Sequence, residues 1–144
     1  MKASELEKIL LEAGCSPNNF CIGSSGTASD VYCLSEKDGI WQVYYTERGR
    51  DSDPLFESRN EAEACQFYFD KIMRIEHWHL VGFFEDDKSA IKMQDELKAS
   101  GIKPIRNDMP PLQAGDPNLR RVFVVGKDIF KVKEIYPSLP VKNA

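Results

Sequence analysis

Two histidines, four cysteines and several carboxylate clusters are the residues of this 144-residue sequence whose types and spacing could do chemistry. His77 and His79 stand two apart in the run His77-Trp78-His79-Leu80-Val81-Gly82-Phe83-Phe84, which reads as a strand. Both imidazoles would then share one face and could give a metal two ligands. The only evident further donors are Glu76 and the cluster Glu85-Asp86-Asp87. Two imidazoles at the rim of a sheet or at an interface meet the same spacing, and no metal is expected.

Cys33 and Cys65 could act as nucleophiles beside a histidine, but each lies within an apolar element where a thiol packs as a small hydrophobe. Ser24-Ser25-Gly26-Thr27 could cradle an anion through backbone N–H groups. It lacks the Gly-Lys-Ser/Thr ending of a phosphate loop, and a strand rather than a helix follows it. No carboxylate pair stands out with one member in an apolar setting, as acid and base work would need. No catalytic residue and no cofactor are expected.

Carboxylates in two other places read either as solvated or helix-capping residues or as contacts for a partner. The charged loop from Glu47 to Glu57 carries Glu47, Asp51, Asp53 and Glu57 with Arg48 and Arg50, joins two elements, and has no evident folding role. Mixed charges of this kind steer a partner and set its register. The leading candidates are Glu47, Arg48, Asp51, Asp53 and Glu57. Glu85, Asp86 and Asp87 come second, because acidic residues at a helix start also complement the dipole and one of them caps it. Trp41, Tyr44 and Tyr45 would supply aromatic anchors where the core does not take them.

The elements that must position these residues follow from spacing. Ser4 and Glu7 make a capping box for a helix with Leu6, Ile9, Leu10 and Ala13 on one face, ended by Gly14. A short apolar piece at Phe20 to Ile22 precedes a hairpin, Val31 to Ser35 and Ile40 to Thr46, around Glu36-Lys37-Asp38-Gly39. Ser58 and Glu61 make a second capping box, for a helix facing inward with Ala62, Cys65, Phe69, Ile72 and Met73, Tyr68 alongside. Beyond the histidine strand come a helix from Glu85 to Ser100 stopped by Gly101, a strand Ile102 to Arg106, a long loop, a strand Arg121 to Val125 and a helix Asp128 to Tyr136. The expected class is α+β, with helices on one face of mostly antiparallel sheet and the order α-β-β-β-α then β-α-β-β-α.

Length suits one domain, or two abutting halves at 1–75 and 76–144. No stretch approaches the roughly 20 apolar residues of a membrane span, and the amphipathic first segment is no signal peptide. Cys15, Cys21, Cys33 and Cys65 include no Cys-x-x-Cys pair, which fits reduced thiols in a cytoplasmic protein. The net charge of −4 is uneven: residues 1–75 carry 8 Lys and Arg against 13 Asp and Glu, residues 76–144 carry 11 against 10. That balance argues against a nucleic-acid ligand and for a basic partner.

The segment Trp41-Gln42-Val43-Tyr44-Tyr45-Thr46-Glu47-Arg48-Gly49, then Phe56, then Ser58-Arg59-Asn60-Glu61-Ala62-Glu63-Ala64-Cys65-Gln66-Phe67-Tyr68-Phe69, resembles immunity proteins of bacterial polymorphic-toxin systems, including contact-dependent growth inhibition. The resemblance spans residues 31–75. It implies a small cytoplasmic protein, not an enzyme, that binds a cognate toxin domain, often a nuclease with a basic cleft, and covers its active site. The second half is loosely similar to ferredoxin-like or sporulation-repeat modules. This leaves an alternative in which the sheet surface of residues 76–144 binds a small molecule or glycan. A third reading, an enzyme using His77 or His79 with a carboxylate, lacks an accompanying nucleophile, metal set or phosphate loop.

Overall fold

The computed structural model describes residues 1–23, 29–111, 113–116 and 118–142. It is α+β, and the chain divides into two compact units, Met1–His77 and Trp78–Ala144.

In the first unit, helix α1 (Ala3–Glu12) and a 3-10 turn (Pro17–Asn19) precede strands β1 (Cys21–Ile22), β2 (Val31–Lys37), β3 (Ile40–Glu47), β4 (Arg50–Asp51) and β5 (Phe56–Ser58), and helix α2 (Glu61–Met73) follows. β1 lies parallel to β2; β2 and β3 form the expected antiparallel hairpin, and both β4 and β5 pair antiparallel with β3. Leu6 and Leu10 of α1 and Ala64, Cys65, Tyr68 and Ile72 of α2 are buried with Leu34 and Val43 of the hairpin. The α2 face is therefore rotated from the expected one, and Ala62 and Met73 are exposed. Tyr68 fixes this arrangement, since its hydroxyl accepts the Cys21 N–H at 2.8 Å and reaches the Tyr32 carbonyl at 2.7 Å. Those contacts give the phenol the partners that burial demands.

Neither capping box forms as expected. Lys2, not Ser4, precedes α1 without capping it, and the Ala3 N–H instead donates to the Glu61 carboxylate of α2 at 3.3 Å. On α2 the cap is Asn60, whose side chain accepts the Glu63 N–H at 3.0 Å, while Ser58 Oγ accepts the Asn60 N–H at 2.9 Å. Asn60 and Glu63 satisfy the same spacing two residues later.

In the second unit, β6 (Trp78–Phe84), α3 (Asp87–Ala99), β7 (Ile105–Arg106), β8 (Arg120–Val125), α4 (Asp128–Ile135) and β9 (Val141–Lys142) build a sheet of order β7-β8-β6-β9. β8 is antiparallel to both β6 and β7, so β6-α3-β7 is a split β-α-β unit. β9, unexpected from sequence, runs parallel to β6. The expected strand Ile102 to Arg106 shortens to two residues. Ile102 is taken up by the helix end, its N–H donating to the Leu97 carbonyl while Gly101 N–H bonds Lys98, and Pro104 has no N–H to give a ladder. Both helices pack on one face through Ala90, Met93, Leu97, Ile129 and Val132 against Val81, Phe84, Val122 and Val124.

Candidate functional site

The segment read as a charged loop is a hairpin arm. Arg48 and Gly49 turn the chain with φ of 51° and 77°, and β4 folds back so that Glu47 faces Arg50 and Thr46 faces Asp51. Two consecutive positive φ values make the mirror-image turn that matches strand twist. Past β4, the Ser52 N–H donates to the Tyr45 carbonyl at 2.7 Å, and Ser52 Oγ accepts the Tyr45 N–H at 2.9 Å. Leu55 N–H then rejoins the Val43 carbonyl at 2.7 Å, and the Arg48 N–H is tied to Ser29 Oγ at 3.0 Å. The whole segment is thus laid along β3 by backbone bonds, which corrects the expectation that it has no folding role.

This arm exposes Glu47, Arg48, Asp51 and Asp53, and none of the four side chains has an ion-pair or hydrogen-bonding partner among the described residues. Glu57, on β5, is exposed and accepts a bond from Gln42 at 3.2 Å. Of the three aromatic candidates, Tyr44 is buried and Trp41 packs against the core, so Tyr45 alone stands with the arm. Its ring meets Tyr32 edge-on at 4.9 Å. Partial burial, then the charges of Asp30 and Glu47, push the Tyr45 phenol up. The unit that carries the arm has 8 Lys and Arg against 14 Asp and Glu over residues 1–77.

Glu85, Asp86 and Asp87 lie elsewhere, in the second unit, and are put to structural use. Asp86 caps α3 by accepting the Ser89 N–H at 2.8 Å. Asp87 Oδ1 accepts from Arg106 and from Arg120, each at 3.1 Å; the Glu85 carbonyl accepts from Arg120 at 2.8 Å. Arg106 also bonds Asp108 at 2.8 Å and Gln94 at 2.9 Å. This network ties α3 to the ends of β7 and β8. The guanidinium of Arg120, then that of Arg106, holds the Asp87 carboxyl below the usual carboxylate range.

The two histidines do not share a strand face. His77 precedes β6 and is buried; its Nδ1 accepts the Ser16 N–H at 3.1 Å and its Nε2 is 2.9 Å from the Ile72 carbonyl, so Nε2 carries the proton. With both ring nitrogens bonded it has no lone pair to give a metal. His79 lies within β6, and no cluster of three metal-ligating side chains exists among the described residues. Cys15, Cys33 and Cys65 are buried, and burial, then a hydrogen bond with Cys21, pushes the Cys33 thiol up to about 12. Ser24 to Thr27 fall outside the described residues.

A second surface escaped sequence reasoning. Because Val122 and Val124 face α3 and α4, Arg121, Phe123 and Val125 of β8 lie on the opposite face of the sheet, with Trp78 and Leu80 opposite Val125 and Phe123. Trp78 and Phe123 are 5.4 Å apart, and the Arg121 guanidinium, held by Asn107 at 2.7 Å, lies 5.4 Å from the Phe123 ring. The alternation of Arg121, Phe123 and Val125 with Val122 and Val124 is its signal in the sequence. No helix among the described residues is long and apolar enough to cross a membrane. Comparison with protein-family models, with curated proteins and with solved structures finds no match to this chain.

Proposed function

We propose that this chain is a non-catalytic inhibitor that engages a basic protein through the β3–β4 arm of its acidic unit, in the manner of the immunity proteins it resembles. The partner is a toxin domain, of the nuclease kind with a cationic cleft, met in the cytoplasm and blocked by occlusion. The observation that carries the reading is the arm itself: Glu47, Asp51 and Asp53 stand exposed, without internal ion pairs among the described residues, on backbone already fixed by hydrogen bonds. A preformed arm loses little conformational freedom on binding, and unspent negative charge speeds encounter with a cationic cleft. Asp87, spent on Arg106 and Arg120, is a weaker contact candidate. The test is to co-express this chain with the C-terminal region encoded by the open reading frame immediately upstream. Rescue of growth with co-purification supports the reading; a toxic neighbour that is neither rescued nor bound contradicts it.

A second reading is favoured by the Trp78 and Phe123 pair on the face of the second sheet away from α3 and α4, where a flat ligand such as a sugar ring could stack. Trp78 fluorescence in a Trp41→Phe background, followed against an oligosaccharide panel, tests it.

A further inference from the structure

Beside the arm, Asn19, Asp30, Val31, Tyr32, Tyr45 and Ile75 line an open hollow of about 310 Å³, at the small end of ligand-sized sites. Its lining combines aromatic rings with one carboxylate. Two walls are the edge-on Tyr32 and Tyr45 rings, and the charged wall is Asp30, whose carboxylate has no partner among the described residues. Tyr45 also lines the groove lined by Glu47 and Asp51, so the two hollows share this residue. A cation of the fold already covers one of the two rings: Lys71 Nζ sits 4.8 Å from the centroid of Tyr32, so Tyr45 is the ring left to a ligand. Tyr45 has no such cation over it among the described residues.

We infer that the cavity between Asp30, Tyr32 and Tyr45 is the receptor for an arginine side chain of the protein partner. A guanidinium is planar, is weakly hydrated for a cation, stacks on a phenol ring and can bond a carboxylate through two parallel N–H groups. Asp30 and Tyr45 offer that ring and that carboxylate at one opening. The negative charges of Asp30 and Glu47, which raise the Tyr45 phenol, act in the same sense on an incoming cation. The inference rests on the reading of a basic partner and names the anchor by which such a partner is seated next to the arm.

The test needs no partner. The full chain, isotopically labelled, is titrated at constant ionic strength with N-acetyl-arginine amide and separately with N-acetyl-citrulline amide, which is neutral and of nearly the same shape. Arginine is expected to shift the signals of Asp30, Tyr32 and Tyr45, and citrulline to leave them in place. Asp30→Asn and Tyr45→Leu are each expected to weaken the arginine response roughly fivefold to tenfold. Asp30 has φ of 58°, a conformation that Asn tolerates well, so its variant keeps the fold. Equal shifts from both ligands, no shift at these residues, or full arginine binding by both variants overturns the assignment. Such a failure leaves co-expression rescue untouched, so the pocket and the inhibitor reading fail separately.

Discussion

His77 accepts the backbone N–H of Ser16 through Nδ1 at 3.1 Å, across 61 residues of sequence, and both residues are buried. The same Nδ1 lies 3.1 Å from the Asn19 amide, and Nε2 bonds the Ile72 carbonyl, so one imidazole joins the segment after α1 to the end of α2. Replacing His77 with Phe keeps the bulk and strands the buried Ser16 N–H, while the Ile72 carbonyl keeps the Ile75 N–H at 3.1 Å. The expected loss is about 1–3 kcal/mol, measured by urea unfolding with m unchanged. A variant as stable as the parent would show that the imidazole is not the tie.

Close packing of the second unit predicts the cost of one added methyl. A Cβ on Gly82 would lie 2.6 Å from Met93 Sδ and 2.7 Å from the Phe84 ring. Gly82→Ala is expected to destabilise the protein by about 1–3 kcal/mol. Shortening the neighbour with Met93→Val in the same chain should recover part of that loss, giving a measurable coupling in a double-mutant cycle.

The arginine network predicts an acid limb to stability. Asp87, through Arg120 and then Arg106, and Asp108, through Arg106, both hold carboxyls below the usual range. A carboxyl depressed in the folded state adds stability above its unfolded value of about 3.9 and loses it as pH falls through the lower folded value. Stability should therefore decline below about pH 4, and Asp87→Asn should flatten that decline. Carboxyl carbon shifts at Asp87 and Asp108 followed by NMR check the sign, because values at or above the usual range would contradict it.

The thiols give a chemical readout of the first core. Burial raises Cys15, Cys65 and, with Cys21 beside it, Cys33, which reaches about 12. At neutral pH they are thiols, and iodoacetamide should leave all three unmodified in the native protein and modify them in denaturant. Rapid native labelling of Cys33, read by mass spectrometry, would mean that this core opens readily.

What the sequence made legible is local. The hairpin around Asp38-Gly39, the stop at Gly101 and a cap from the Glu85-Asp86-Asp87 cluster each depend on a few adjacent residues, and each is found in place, the cap being Asp86. The α2 cap shifted by two because Ser58 and Asn60 both satisfy the spacing, and only the three-dimensional path selects Asn60. β9 carries two residues, too few for a period, and its partner β6 is far away in sequence. The acidic segment is distinctive in the sequence but its hairpin is not, although Arg48-Gly49 is a turn dipeptide. The residues around that turn are charged rather than alternating, and the ladder forms on backbone bonds that side-chain pattern does not report. The Asp30, Tyr32 and Tyr45 cavity depends on the register of β2 against β3 and on Ile75 beyond α2, and no single stretch encodes it.

The central claim is that the charge on the β3–β4 arm captures a basic protein. Association of the purified chain with the upstream-encoded toxin domain should be followed by stopped flow at several salt concentrations, for the parent and for Asp51→Lys with Asp53→Lys. The account predicts an association rate at low salt that falls about tenfold or more in the variant, with a shallower dependence on salt. Equal rates and equal salt dependence in the two proteins would contradict it and place the contact surface elsewhere.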